Sequence, residues 1–297
     1  MTAKTAAKTA ETVEEGKGVV TQEQKDLALA ADLGFMDASD FDGAGMEGAD
    51  QDSFAIPFIQ ILQKMSPKVD EDSAEYIPGA KAGMLYNTVT GELFDGKKGL
   101  YIIPCYYKRS FICWGGREGD GGYKGEFTVD QVEALKLDPT KLVTVEGRMY
   151  VPNEDGSVNE KKNDYFADTR SHYVLTVNPE TGEFGTAILG LASTQIKSSK
   201  KLMTALSQKK VKFGDTMKTP PTFANMVKVT TTGMSNDKGS WSAINFELDG
   251  MVLNRAHFDA AKEFYKIVHS GEAKADFSKA DTPAAGDVGE PQEAGSF

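Results

Sequence analysis

Four strand-like runs in two pairs constrain this chain more than any other feature. Residues 164–177 and 183–191 flank Asn178-Pro179-Glu180-Thr181-Gly182, and residues 223–234 and 241–253 flank Asn236-Asp237-Lys238-Gly239. Apolar alternation on both sides of a short turn rich in Asn, Asp and Gly predicts antiparallel hairpins, because those residues accept the positive φ that a tight reversal needs. Strands joined by such reversals do not build the parallel sheet of a βαβ protein. Further strands are expected at 84–89 and 92–94 around Thr90-Gly91, at 100–114 with a break near Pro104, and at 142–151. Pro57 makes the apolar run 54–62 an edge strand or extended anchor, since proline has no amide hydrogen for a ladder. Helices are fewer. They are expected at 129–137, at 194–208, and at 255–268, where Ala261, Phe264, Ile267 and Val268 face inward and Gly271 is the stop. The fold class that follows is mainly β or α+β: an antiparallel OB-like barrel or curved sheet with inserted and C-terminal helices.

The net charge is −11, but its placement says more than its size. Residues 1–53 hold four Lys against twelve acids, and residues 271–297 hold two Lys against six. The middle, 54–270, holds 27 basic and 26 acidic residues, so the low whole-chain pI does not argue against nucleic acid. Segments this polar, with almost no large apolar residue before Leu27, bury too little surface to fold. Disordered acidic tails at 1–53 and 271–297 are therefore expected around one domain at 54–270, with a short helix over 22–33. No apolar run approaches the ~20 residues of a membrane span, and the first residues lack the hydrophobic stretch of a signal peptide. A cytoplasmic location without membrane contact is expected. Cys105 and Cys113 share one strand, too far apart for a mutual disulfide, and should be reduced, half-buried thiols.

Within the neutral middle lies a basic stretch. From Ser193 to Lys218, seven lysines (197, 200, 201, 209, 210, 212 and 218) meet a single acid, Asp215. Ser193 is a candidate N-cap, and Ile196, Leu202, Met203 and Leu206 recur at helical spacing, which turns Lys197, Lys201 and Gln208 outward. Lys209, Lys210 and Lys212 then lead into a turn at Gly214-Asp215. Clustered lysines with Ser, Thr and Gln between them and few acids suit a polyanion, although a solvated helix face would look the same.

A single-stranded nucleic acid also needs aromatic faces for its bases. In the strand 100–114, Tyr107, Arg109 and Phe111 share one parity and Tyr106, Lys108 and Trp114 the other, so at most one set meets a ligand. The first set is the candidate. The glycine-rich run 115–125 reads as a mobile flap carrying Arg117, Tyr123 and Lys124. Catalytic chemistry finds little support. His172, His257 and His269 lack metal-protease spacing, two cysteines cannot form a four-thiolate site, and no phosphate-loop motif is present. Asp70, Glu71 and Asp72 begin like a calcium loop, but Glu75 stands where its glycine is required. No cofactor, metal or catalytic residue is expected.

The succession Ile56-Pro57-Phe58, Leu62-Gln63, Ser66-Pro67, Gly79-Ala80-Lys81, Pro104, Lys108-Arg109, Phe111, Trp114, Arg117-Glu118, Gly121-Gly122, Asp168-Thr169-Arg170, His172-Tyr173 and Ser193-Thr194-Gln195-Ile196-Lys197 resembles a family of tailed-bacteriophage proteins. Its members are encoded among replication and recombination genes and are described as single-stranded DNA-binding proteins. The resemblance spans about 54–270 and implies a non-enzymatic role on single-stranded DNA, with replication or recombination proteins as partners through the tails. Homo-oligomerisation stays open. Proteins of that kind commonly end in a dense acidic run closed by an aromatic residue. Here Phe297 closes the tail, but Asp287, Glu290 and Glu293 are sparse. The rival expectations are a single-strand annealing protein, a virion or assembly protein, and a nuclease built on Asp164, Asp168 and Glu183.

Overall fold

Two long strands carry the molecule. In the computed structural model, which describes residues 54–280 except Lys238, together with Gly45, Met46 and Gly48, β4 (Leu100–Trp114) pairs with β8 (Tyr165–Val177) over their whole lengths. The helix expected over 22–33 and most of both acidic tails lie outside the described residues. Pro104 cannot donate to the ladder, and the register shifts between Pro104 and Tyr106, leaving Cys105 as the extra residue. This bulge decides the faces. Leu100 and Ile102 point to the same side as Tyr107, Arg109, Phe111 and Cys113, whereas Ile103, Cys105, Tyr106, Ile112 and Trp114 point to the other.

The Asn178–Gly182 reversal turns β8 into β9 (Phe184–Ala192), as its residues predict. Asn178 Oδ1 accepts from the amides of Glu180 and Thr181, and Gly182 takes φ 76°. After a helix and a small hairpin, β12 (Asn225–Asn236) returns to the free edge of β4, pairing Val227 with Ile102 and Val229 with Leu100. Its hairpin partner is β13 (Gly239–Met251). The order β12-β4-β8-β9 lays β12 beside β4 as the fourth strand of a Greek key lies beside its first, with three short strands inserted between β4 and β8.

The sheet curls, and a second, smaller sheet spans much of the opening. Strands β1 (Ile59–Ile61), β2 (Leu85–Asn87) and β3 (Leu93–Phe94) form an antiparallel set. Next to β1, Phe58 bridges Ile188 of β9, whose amide donates to Pro57 O at 2.9 Å. The proline thus sits at a sheet edge and is used there as an acceptor. On the far side, the Thr231 amide donates to Gly96 O at 2.7 Å. A Cβ on Gly96 would lie 1.9 Å from Gly83 O, so only glycine permits this approach. Ile59, Leu85, Ile102, Val174, Leu189, Val227 and Val229 fill the enclosed core.

Three further pieces cover the outside. Helix α3 (Arg255–Ser270), capped by Asn254 and stopped by Gly271 at φ 83°, lays Ala261, Phe264 and Val268 on the outer face of β4, β8 and β9. Each large apolar side chain buried there contributes about 1.5–3 kcal/mol. The packed chain continues beyond residue 270, because Phe277 is buried against Phe58 and Tyr123. Helix α1 (Val129–Lys136), started by a Thr128–Gln131 capping box, packs Val132 on Phe111, Cys113, Leu142 and Phe166. The expected strand 142–151 is instead a hairpin, β6 (Val143–Val145) and β7 (Arg148–Tyr150). Glu146 and Gly147 both take positive φ in its turn, and Glu146 gave no sign of it because glutamate seldom does.

Candidate nucleic-acid interface

Between β9 and β12 the chain forms helix α2 (Ile196–Gln208). Ser193 is not its N-cap. It lies in a preceding turn with φ 52°, and no side chain caps the helix. Side-chain bonds from its first turn instead fix the helix to the sheet. Ser198 Oγ donates to Ile244 O at 2.6 Å, and Ser199 Oγ lies 2.7 Å from His172 Nε2. With Leu202 and Leu206 buried below, Lys197, Lys200, Lys201, Thr204 and Gln208 stand exposed. The outward face is the one the periodicity predicts.

The remaining lysines divide. Lys209 is half-buried and donates to Gly250 O at 2.7 Å, which ties the end of α2 to β13. Lys210 donates to Thr219 Oγ1 at 2.5 Å, across the base of a small hairpin made of β10 (Val211–Phe213) and β11 (Thr216–Lys218). Lys212 and Lys218 are exposed on that hairpin. Among the described residues, no acid forms an ion pair with Lys197, Lys201, Lys212 or Lys218.

Beneath α2, a polar strip crosses the face of β4 and β8. It begins at His172, and two residues earlier in β8 Arg170 donates to Tyr107 OH at 3.1 Å. Arg109 grips Asp168 with both arms, Nε at 3.2 Å and Nη2 at 2.8 Å, and Arg170 Nη2 reaches the same carboxylate at 3.0 Å. Two guanidiniums on one carboxylate leave a net positive charge. Asp168 raises the Arg109 pKa further, chiefly through this hydrogen bond. Burial, aided by the Arg170 charge, pushes the His172 pKa down to about 4, so the imidazole is neutral at physiological pH. The strip lies between the core under α1 and the core under α2, and successive same-face residues set its length at about 7 Å per step.

Other expected residues are placed differently. Tyr107 and Arg109 do share a face with Phe111, but Phe111 is 3% exposed and packs under α1, so its ring offers no free surface to a base. The Arg109 guanidinium lies 5.6 Å over that ring. Tyr123 belongs to β5 (Tyr123–Phe127) and packs on Trp114 and Phe277, and burial raises its pKa. The glycine-rich run is no flap. A Cβ on Gly115 would meet Gly121 backbone at 2.3 Å, and one on Gly116 would meet Lys162 backbone at the same distance. Its charges are mixed: Arg117 and Lys124 are exposed, Lys124 pairs with Asp120 at 3.4 Å, and Glu118 pairs with Lys161 at 3.2 Å. Both cysteines are free and fully rather than half buried, which pushes the Cys105 pKa up to about 12 and that of Cys113 to about 11.

Two groups escaped the sequence reading. Arg170 joins the strip by lying opposite Arg109. Phe213 and Met217 stand exposed on the β10–β11 hairpin, where the alternation of Val211-Lys212-Phe213 and Thr216-Met217-Lys218 about Gly214-Asp215 was the available signal. Of the carboxylates a nuclease would need, Asp168 is taken by two arginines. Among the described residues, no group of three or more His, Cys, Asp or Glu side chains is placed to hold a metal. No curated protein and no solved structure matches the chain. A family model does match residues 22–274, agreeing with the resemblance to phage proteins, and the chain belongs to the Pam3 phage gp34-like protein family.

Proposed function

We propose that this protein binds single-stranded DNA during phage replication or recombination, holding the strand without chemically altering it. The observation that carries the reading is the run of lysines on α2 and the β10–β11 hairpin, exposed together and, for Lys197, Lys201, Lys212 and Lys218, without acidic partners among the described residues. Arg109 and Arg170 extend that charge along the strip under the helix. A flexible single strand can follow such a turning track more readily than a stiff duplex. The Greek-key order with a helix before the returning strand supports an OB-like reading of the curled sheet, a fold that commonly serves oligonucleotides.

Outer-face binding is disfavoured, because α3 covers that side of β4, β8 and β9. The strand is therefore assigned to the side bearing α2. Lys124 contributes less in this reading, as Asp120 offsets its charge.

Fluorescence anisotropy with labelled single-stranded and duplex oligonucleotides at two salt concentrations tests the reading. Single-strand binding should be the tighter and should weaken as salt rises. Replacing Lys197, Lys200 and Lys201 together by Ala should lower the slope of log affinity against log salt by about 0.7 for each phosphate no longer neutralised. A folded triple variant with unchanged affinity and slope would remove α2 from the interface.

A further inference from the structure

The β10–β11 hairpin has a feature that a lysine surface alone does not require. Phe213 is 70% exposed and Met217 62% exposed, on a hairpin whose strands pair only with each other. Two isolated strands are marginal in water, and large apolar side chains left in solvent there gain nothing from the fold.

The register separates the two side chains. Phe213 pairs with Thr216, and Val211 with Lys218, so Phe213 and Lys218 share one face, with Lys218 Nζ 5.2 Å over the phenyl ring. Lys212 pairs with Met217 on the opposite face. Each face thus presents one large apolar group and one lysine. A protein surface docking on the hairpin would cover one face and leave the other in water. A slot between two flat apolar bodies that carry negative charge at their margins would cover both.

Neighbouring bases of a single strand, flanked by phosphates, form such a slot. We propose that the β10–β11 hairpin is a wedge that enters between two adjacent bases of a bound single strand, with Phe213 stacked on one base and Met217 against the other. Lys212 and Lys218 neutralise the flanking phosphates. The charge of the surroundings fits, since residues 193–218 hold seven Lys and one Asp. The wedge rests on the single-strand-binding reading above, and supplies the stacking that buried Phe111 cannot.

The test uses the full chain and a single-stranded oligodeoxyadenylate carrying one 2-aminopurine, whose fluorescence is quenched while it stacks on its neighbours. Saturating protein should raise that fluorescence. Phe213→Ala should weaken binding about tenfold, abolish the rise and leave the salt slope unchanged. Phe213→Trp should keep both binding and the rise, and its indole emission should be quenched by the strand, so the wedge remains testable if the alanine variant folds poorly. Wild-type-like binding and fluorescence from a folded Phe213→Ala protein would overturn the wedge while leaving the lysine surface as the binding site. No binding of the oligonucleotide by the wild-type protein would overturn both, and would leave the hairpin as a contact for an acidic protein.

Discussion

His172 shows how a single residue ties the sheet to the helix above it. Its ring is buried beside Tyr107 and Phe246, bonds Ser199 of α2, and faces the Arg170 charge two residues along its own strand. Its pKa falls from 6.5 to about 4 on folding, so between those values the unfolded chain binds the extra proton and the folded chain does not. Stability should therefore fall as pH drops through that window, by an amount on the order of 3 kcal/mol at its lower end. Thermal melts of the wild type and His172→Gln from neutral pH downward check this. The wild type should lose stability below about pH 6.5, and the variant should hold until carboxylates protonate near pH ~4; parallel curves would show that another group titrates. The residue scale is also where the sequence was least legible. Parity placed Tyr107, Arg109 and Phe111 on one face, as observed, but only the packing of α1 decides that the face is open at Arg109 and closed at Phe111.

Among elements, the β8–β9 and β12–β13 hairpins and the three helices were legible because their signals are local: Asn178 folds its own turn, Thr128 caps its own helix, and Gly271 ends its own. The seam between the start of the domain and β13 was not, because it is made by side chains distant in sequence. Gln195 accepts from the Ile244 amide at 2.9 Å and donates to Ser242 O at 3.2 Å, while Gln63 accepts from the Ser242 amide and donates to the same carbonyl, both at 2.9 Å. Two carboxamides thus do for the β13 edge what a neighbouring strand's peptide groups would do. Gln195 is buried, so Gln195→Ala should leave the Ile244 amide unpaired, at a cost of about 1–3 kcal/mol, while Ser242 O keeps its bond from Gln63. Gln195→Glu should be no better, because it would bury an ionised carboxylate with one oxygen held against Ser242 O. Chemical denaturation of both variants reads this directly, and a midpoint equal to the wild type's in either would show that the seam is held elsewhere. Such a loss would also loosen α2, since Gln195 immediately precedes it.

Taken whole, the molecule separates its charges along the chain. Residues 54–280 are nearly neutral and contain the lysine surface, residues 1–53 carry four Lys against twelve acids, and residues 281–297 carry four acids and no Lys or Arg. A tethered polyanion competes for a cationic surface at a high effective concentration, and salt screens that competition over about a nanometre. Removing both segments should then tighten single-strand binding. The cut must follow residue 280 rather than 270, because Phe277 packs in the core with Phe58 and Tyr123. A 54–280 chain should melt close to the full protein, whereas one ending at 270 should melt lower. The longer of the two should bind single strands more tightly than the full chain at low salt and by a smaller margin at high salt. Equal affinities at low salt, with the melting temperature preserved, would show that the acidic segments do not reach α2 and would leave partner contact or solubility as what their charge provides.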